Sequence, residues 1–347
     1  MKKVLFVGLI SSLLFSCAKD SKVAHVERAF YYWKSNNELN NSSVLEQMSK
    51  CKIKKIYVKY FEVDYSETMG NYPYDKTDLS GYYMGKADSV RVVPTVFIKN
   101  GIFQYSKEKD LAVLADNIVF LIDKYNKGKF DKMAVTDEIQ IDCDWTKSSK
   151  EKYFYLLKKI KEISKRNISC TLRLYPYKYP NIMGIPPVDK ATLMCYNLIK
   201  PLSQKSRNSI LDIAELASYL DKRRSYPIHL DIALPVFSWT QLYHNNQFAG
   251  LLDLNDEEMK VFTKRIKPMW YEVTKDTTLR YDRYFRIGDQ IKYEDVTKAT
   301  IENAIKLIKK NVALDDKTTI TLFHLEENTF NKYSNEELSG FYDSFTK

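Results

Sequence analysis

Apolar and polar residues alternate along several stretches of the chain, and this alternation predicts β-strands. The clearest example is EIQIDCDW at 138–145, in which Gln140, Asp142 and Asp144 fall on one side and apolar residues on the other. A strand at a sheet surface turns such polar residues to water, whereas a strand of a closed barrel turns them into the interior. Strands are predicted at 28–34, 55–64, 92–99, 138–145, 168–176, 191–198, 228–237 and 318–327.

Between these stretches, apolar residues recur every three or four positions, which predicts amphipathic helices. In 149–164, for example, one helical face is formed by Tyr153, Leu156, Leu157, Ile160 and Ile163. Further helices are predicted at 42–50, 110–125, 210–224 and 298–311. Strands that alternate with helices favour a parallel sheet, and eight strands favour a closed barrel. We therefore predict an α/β fold in which residues 28–347 form a single (β/α)8 TIM-type barrel.

Two links depart from regular alternation. The segment 176–190 contains four prolines and leaves no room for a full helix, so the helix after strand five should be largely missing. The link 238–317 is long enough to contain an insertion between strands seven and eight. Its segment 278–293 has the pattern of a β-hairpin.

Polar residues of the predicted strands should gather inside the barrel, where loops after the strands carry active sites. A fixed network of ion pairs that binds nothing is the alternative. The predicted interior residues are Glu62, Asp64, Gln140, Asp142, Asp144, Thr171, Arg173, Tyr175, His229, Asp231, His324 and Glu326.

The N-terminal segment has the pattern of a secretory signal peptide. Lys2 and Lys3 precede an apolar run at 4–15 that is too short to span a bilayer. The run ends in LFSC, which resembles the lipobox of bacterial lipoproteins, although Phe15 is bulkier than usual there. We predict a signal peptide at 1–16, lipidation of Cys17, a tether at 17–27, and a location in the cell envelope, at the outer membrane. An ordinary cleaved signal with an unmodified cysteine is the alternative.

Composition narrows the range of partners. Removal of residues 1–16 takes two lysines and no acid, so the formal charge falls from +10 to +8. Basic residues are spread along helices among acidic ones, as in 150–167, which is typical of solvated helix faces, and no nucleic-acid partner is expected. Cysteines without metal-ligand spacing, and the lack of a P-loop or glycine-rich nucleotide turn, predict no metal and no cofactor. We expect a monomer.

Short motifs, in the same order along the chain, resemble the chitinase family of glycoside hydrolases, family 18. IQIDCDWT at 139–146 resembles its strand-four motif DxxDxDxE, and MCYN at 194–197 resembles its strand-six motif MxYD. IALPVFSW at 232–239 is similar to its strand-seven leucine-proline-aromatic motif. The chain also resembles glycosidase-like lipoproteins of the Bacteroidota. The resemblance implies a TIM barrel and carbohydrate as the partner, with N-acetylated sugars among the candidates.

The resemblance also assigns roles to single residues. Asp144 and Tyr196 match family residues that hold the acetamido group of the sugar. Thr146 stands where the family has its catalytic glutamate, and a threonine hydroxyl does not titrate near neutral pH. Ile139 and Asn197 stand where the family has aspartates. The family's own mechanism is therefore incomplete in this chain.

Three hypotheses follow. The first is a hydrolase that uses other carboxylates: Asp142, Asp144, Asp231 or Glu326 as catalytic groups, and Glu62, Asp64, Arg173, Tyr196, Asn197 and Trp239 for substrate binding. For Asp231 the alternative is a position too deep to touch substrate, because it lies early in its strand. The second is a lectin-like barrel that binds glycan without cutting it, on an aromatic platform of Trp145, Trp239, Trp270 and tyrosines 72, 74, 82 and 83. The third is a scaffold lipoprotein of an envelope complex.

Overall fold

In a computed structural model, the described residues are 23–35, 41–78, 90–129, 134–203, 205–252, 254, 256–279 and 283–346. The strands are β1 (His25–Tyr32), β2 (Lys55–Ser66), β3 (Gly70–Tyr74), β4 (Arg91–Ile98), β5 (Ala134–Val135), β6 (Glu138–Asp142), β7 (Asn167–Arg173), β8 (Lys190–Met194), β9 (His229–Pro235), β10 (Trp239–His244), β11 (Gln247–Leu252), β12 (Thr263–Lys267), β13 (Trp270–Val273), β14 (Thr277–Leu279), β15 (Arg283–Phe285), β16 (Gln290–Glu294) and β17 (Lys317–Phe323). The helices are α1 (Ser42–Lys50), α2 (Ile102–Tyr105), α3 (Glu108–Lys129), α4 (Lys150–Ser164), α5 (Leu174–Lys178), α6 (Pro180–Met183), α7 (Ile213–Tyr219), α8 (Asp256–Lys260), α9 (Lys298–Asn311), α10 (Glu327–Lys332) and α11 (Asn335–Asp343).

Eight parallel strands close a barrel, which confirms the predicted TIM-type fold. Their order around the barrel is β2-β1-β17-β9-β8-β7-β6-β4, and β4 pairs back with β2 to complete the ring. We call the end at which these strands begin the base, at His25, Lys55, Arg91, Glu138, Asn167, Lys190, His229 and Lys317. We call the end at which they finish the mouth, at Tyr32, Ser66, Ile98, Asp142, Arg173, Met194, Pro235 and Phe323.

The first strand begins earlier than predicted. His25 already pairs with Lys317, so 25–27 belong to the barrel and not to a tether that extends to residue 27. The backbone N–H of Val23 donates to the carbonyl of Phe345 at 3.1 Å, which holds the entry of the chain against the C-terminal segment. The barrel is therefore closed by contacts between the two ends of the described chain.

Helices cover the outside of the barrel with their apolar faces. In α4, Tyr153, Leu156, Leu157 and Ile160 are buried, as the periodicity predicts. Full burial of one such side chain contributes about 1.5–3 kcal/mol, so each helix is held mainly by this face. The four described cysteines are buried free thiols in the same core, at 51, 143, 170 and 195. Among the described residues, no helix is both long and apolar enough to cross a bilayer.

Both irregular links are present. Only the short helices α5 and α6 follow β7, so the predicted loss of a full helix there is confirmed. The insertion between β9 and β17 contains an antiparallel sheet in the order β11-β10-β16-β13-β12, and β14 pairs with β15. The predicted hairpin at 278–293 is only partly right, because its last strand, β16, pairs with β10 and β13.

A buried ion pair fixes the insertion to the barrel. The ammonium of Lys292 pairs with the carboxylate of Glu294, and both side chains are at most 1% exposed. Glu294 also accepts from the indole N–H of Trp239 at 2.6 Å, and Lys292 donates to the carbonyl of Arg207 at 2.9 Å. These bonds set the orientation of Trp239 where the chain leaves the mouth.

Candidate functional site

The polar side of β6 faces the barrel interior. Gln140 lies deepest, where its amide oxygen accepts from the hydroxyl of Tyr31 at 2.8 Å and its NH2 group donates to Thr192 at 3.2 Å. Its hydrogen bonds are satisfied within the protein, so Gln140 is a structural residue of the lumen.

Asp142 lies above this layer, at the end of β6, and is 8% exposed. Its carboxyl accepts from the hydroxyl of Thr171 at 2.5 Å. Burial, and next the negative charge of Asp144, raise the pKa of Asp142 to about 7, although Thr171 and Arg173 act in the opposite direction. A carboxyl group in this state exchanges a proton near neutral pH.

Asp144 follows β6 at the mouth and is more exposed. Its carboxylate pairs with Nε of Arg173 at 3.0 Å, and both side chains are close to half exposed. The pair lines a cavity of about 350 Å³ together with Thr146, Tyr175 and Met183. Asp144 and Arg173, predicted separately from two strands, therefore form one charged pair that is open to solvent.

Thr146 lines the same cavity, but its hydroxyl is engaged locally. Its Oγ1 lies 2.9 Å from the hydroxyl of Ser148 and 3.2 Å from that of Ser149, just before α4. The backbone N–H of Thr146 also donates to Ser149, at 2.9 Å. The side chain thus stabilises the turn into the helix and offers no titratable proton.

Two polar groups after β8 lack a partner in the described part of the chain. The hydroxyl of Tyr196 makes no hydrogen bond to a described residue, and its oxygen is not among the fully buried polar atoms, although the whole residue is only 4% exposed. Asn197 has a left-handed backbone with φ of 53°, and its buried Oδ1 accepts no hydrogen bond from any described residue. Burial, with Asp142 and Asp144 among the nearby groups, raises the pKa of Tyr196 well above its usual range, so the phenol keeps its proton.

Aromatic rings surround Tyr196 at the mouth. Its ring centroid lies 5.1 Å from that of Phe323, and Phe323 lies 5.9 Å from Trp33. Phe237 packs 5.5 Å from Phe323 and 6.1 Å from Trp239. Sequence reasoning missed this cluster, although Trp33 and Phe323 lie in or next to predicted strands on the same side as Tyr31. The cluster gives the mouth an apolar wall beside its charged groups.

Glu326 and Trp239 line a separate cavity of about 590 Å³, together with His324, Tyr293 and other residues of the insertion. Glu326 pairs with Lys34 at 3.2 Å. Nε2 of His324 lies 3.6 Å from the same carboxylate. This cavity extends the mouth toward the insertion.

Glu62 and Asp64 both bind lysines. Glu62 accepts from Lys59 at 2.8 Å and from the hydroxyl of Tyr74 at 2.5 Å. Asp64 accepts from Lys99 at 2.6 Å, and this hydrogen bond is the main cause of its lowered pKa. Among the described residues, no group of His, Cys, Asp and Glu side chains is arranged to hold a metal ion.

Asp231 does not lie in the same pocket as Asp144, contrary to the prediction. It is the third residue of β9 and lies near the base, where it accepts from Lys190 at 2.9 Å and from the backbone N–H of Thr319 at 2.6 Å. His229 contacts it at 3.2 Å. Although burial opposes it, the charge of Lys190 and these hydrogen bonds hold the pKa of Asp231 below its usual range. The alternation placed the side chain inside the barrel but not at the correct end.

Two members of the predicted aromatic platform are buried. Trp145 is 5% exposed and stacks on Tyr153 at 5.2 Å. Trp270 of the insertion is 3% exposed and donates to the carbonyl of Lys205, in the link after β8, at 2.9 Å. Neither can stack on a sugar ring. Tyrosines 82 and 83 lie outside the described residues.

No protein-family model and no curated protein matches this chain. Its structure is similar to that of the spore cortex-lytic enzyme SleL of Bacillus cereus, with 12% identity, a TM-score of 0.49, and 94% of this chain and 75% of that chain covered. It is also similar to a GH18 chitinase of Cycas revoluta, with 8% identity, a TM-score of 0.47, and 93% and 100% covered. A third similar structure is the group II chitinase catalytic domain 2 of Ostrinia furnacalis, with 9% identity and a TM-score of 0.46. That match covers 92% of this chain and 95% of the chitinase domain. These identities and TM-scores carry no inference about what this chain does.

Proposed function

We propose that this protein is a lipid-anchored barrel that binds glycan at the mouth, with N-acetylated sugars as the first candidates. The observation that carries the proposal is Oδ1 of Asn197 after β8, a buried acceptor for which the described chain provides no donor. Buried polar groups are normally satisfied by protein, water or ligand, so groups of this kind at an open barrel end favour a polar ligand.

The groups at the mouth around Tyr196 suit a sugar. The Asp144–Arg173 pair presents hydrogen-bond acceptors and donors at a solvent-filled cavity. The aromatic cluster around Tyr196 offers apolar surface, and Trp239 is partly exposed beside it. Hydroxyl and amide groups of a sugar require such polar partners, while its C–H faces pack on rings.

Binding without cleavage is favoured by the state of the carboxyl groups. Thr146 contributes no acid, and Asp144 is paired with Arg173. Asp142 has the pKa of a general acid but is nearly buried and holds a hydrogen bond from Thr171. A proton donor must reach the glycosidic oxygen, usually within about 3 Å or through one water.

Hydrolysis is the second candidate, and the pKa of Asp142 favours it. Two neighbouring carboxyl groups, one with its pKa raised to about 7, form the arrangement that acid–base catalysis uses. Under this alternative Asp142 would donate the proton, and Asp144 would orient or stabilise the sugar.

The test is a panel of N-acetylated oligosaccharides, non-acetylated oligosaccharides and aryl glycosides, offered to residues 18–347 and to Asp144→Asn. We expect binding of one sugar class without turnover, and weaker binding by the variant. Turnover that the variant abolishes would establish the hydrolase instead. Neither binding nor turnover by the folded protein would contradict both functions and favour the scaffold.

The lipid anchor is tested independently. The proposal places a diacylated Cys17 at the start of the mature chain and the protein in the envelope, at the outer membrane. Labelled fatty acid should be incorporated into the wild-type protein, and Cys17→Ser should abolish the incorporation and release the protein from membranes. Equal labelling of the two proteins would exclude Cys17 as the anchor.

A further inference from the structure

The base, opposite the sugar pocket, carries an excess of positive over negative charge. It is built from the links that lead from a helix into the next barrel strand, because such helices run back from the mouth to the base. Four of these links form what we call the basic surface: 50–55 before β2, 158–167 before β7, 221–229 before β9 and 309–317 before β17.

Basic residues greatly outnumber acidic residues in these links. Together they hold fifteen lysines and arginines against four acidic residues. The insertion at 238–297, which lies beyond the mouth, holds nine against ten. The excess is therefore a property of one end of the molecule, although the linear sequence shows charges spread along the whole chain.

Several basic side chains on this surface form no ion pair, although the charges of Lys158 and Lys165 act on Glu162. They are exposed and make no ion pair within the described ranges: Lys52, Lys158, Lys165, Lys222, Lys310 and Lys317. Others are neutralised, such as Lys161, which pairs with Asp189 at 2.5 Å. The unpaired lysines leave a net positive field over the base.

The links adjoin one another in space. Around the barrel, β9, β17, β1 and β2 are consecutive strands. The backbone N–H of Arg224 donates to the carbonyl of Asn311 at 2.9 Å, which joins the link before β9 to the link before β17. The N–H of Lys54 donates to the carbonyl of Arg28 at 3.0 Å, which joins the link before β2 to β1. The links before β9, β17 and β2 thus form a continuous arc, and the link before β7 lies beyond β8 at the same end of the barrel.

Helix ends explain part of this pattern, since basic residues stabilise helix C-termini. They do not explain Lys52 and Lys165, which follow α1 and α4 with φ of 55° and 57°. Glycine or asparagine favours that left-handed backbone, and lysine does not. These two positions therefore carry lysine although their backbone conformation favours glycine or asparagine.

The chain enters the barrel within the same arc. The N–H of His25 donates to the carbonyl of Asp316 at 2.8 Å, beside the link before β17. Cys17 lies six positions before Val23, and an extended chain of that length reaches roughly 20 Å. A lipid on Cys17 would therefore hold the base, and not the mouth, near the bilayer.

We propose that the basic surface docks on a bilayer that contains anionic phospholipids. Clustered lysines and arginines bind such headgroups, and the attraction acts within about 8–10 Å of the surface at physiological salt. Docking by the base directs the mouth and its sugar pocket away from the membrane. The proposal goes beyond glycan binding and does not depend on it, and the charged contact itself does not require the acyl chains.

The test is co-sedimentation of residues 18–347, which keep every described residue but lack Cys17, with vesicles of phosphatidylcholine alone or with 30% phosphatidylglycerol. One variant reverses three lysines of the basic surface, Lys158→Glu, Lys222→Glu and Lys310→Glu. The matched control reverses three exposed lysines elsewhere, Lys76→Glu, Lys200→Glu and Lys275→Glu. Both variants change the net charge equally. Thermal unfolding of each protein establishes that it is folded.

We expect the wild type and the control to bind the anionic vesicles, and not the neutral ones, with binding that weakens as salt rises. The basic-surface variant should bind about 100-fold more weakly, because each lysine near an anionic surface contributes about 1 kcal/mol. No binding of the wild type to anionic vesicles at low salt would overturn the proposal, as would equal losses in the two variants. Preference for duplex DNA or an acidic polysaccharide over the vesicles would also overturn it.

Discussion

Asp142→Asn tests the electrostatic description of the mouth through protein stability. In the folded protein the pKa of Asp142 is raised from 3.8 to about 7 by burial and by Asp144. The unfolded chain ionises this group at the lower value. The stability associated with the protonated carboxyl is therefore fully present below pH 3.8 and is lost as the pH rises through about 7.

The magnitude follows from the shift. A displacement of about 3 pKa units corresponds to roughly 4 kcal/mol in total, of which about 2.5 kcal/mol is lost between pH 5 and pH 8. Asparagine resembles the protonated carboxyl in size and can still accept the hydrogen bond from Thr171. The variant should lack this loss, so its stability relative to the wild type should rise by about 2.5 kcal/mol over that interval.

Urea unfolding of both proteins at pH 5, 6, 7 and 8 measures this difference in the free energy of unfolding. Groups that titrate identically in the two proteins contribute equally to both free energies and do not affect the difference. Asp144→Asn removes the neighbouring charge that helps to raise the pKa, so it should reduce the pH dependence of the otherwise wild-type protein. A difference between Asp142→Asn and the wild type that stays constant from pH 5 to pH 8 would show that Asp142 is already ionised in the folded state. The burial argument would then be refuted.

Three further predictions concern the base and the insertion. Lys190→Met should destabilise the protein by about 3–5 kcal/mol in urea unfolding, because it leaves Asp231 buried without its main partner; a cost under about 1 kcal/mol would contradict this. Glu294→Gln should speed hydrogen exchange in β10 and β16 while the barrel strands keep their rates, because Lys292 loses its carboxylate; unchanged exchange would refute the anchoring role. Two carboxylates raise the pKa of His229, so its stabilisation, measured against His229→Gln, should be lost as the pH rises above 6.5; a pH-independent difference would be inconsistent with those ion pairs.

Local periodicity was sufficient to predict the barrel. The alternation in 138–145 and the helical face of 149–164 are properties of a few consecutive residues, and each element was found close to its observed position. The inserted sheet could not be obtained in this way. Its central strand β16 pairs with β10, about fifty residues earlier in the chain, and that choice depends on tertiary packing.

The site was predicted less completely, for a geometric reason. The period of two tells which side of a strand a residue faces, and it correctly placed Gln140 and Asp231 inside the barrel. It does not tell how far along the barrel axis the residue lies, so Asp231 was grouped with Asp144 although it bonds to Lys190 near the base. The aromatic cluster at the mouth was not predicted. Its residues Trp33, Phe237 and Phe323 lie far apart in the sequence and come together only when the strands close into a barrel.

The most direct test of glycan binding at the mouth is isothermal titration of residues 18–347 with N-acetylglucosamine oligomers, beside Tyr196→Phe and the control Tyr155→Phe on the outer helix α4. Loss of one hydrogen bond to a ligand costs about 0.5–1.5 kcal/mol, so the account predicts affinity about 2- to 12-fold weaker for Tyr196→Phe and unchanged for Tyr155→Phe. Binding that is equally strong in all three proteins would place the sugar elsewhere. No binding by the folded wild type would contradict the claim for this class of sugar.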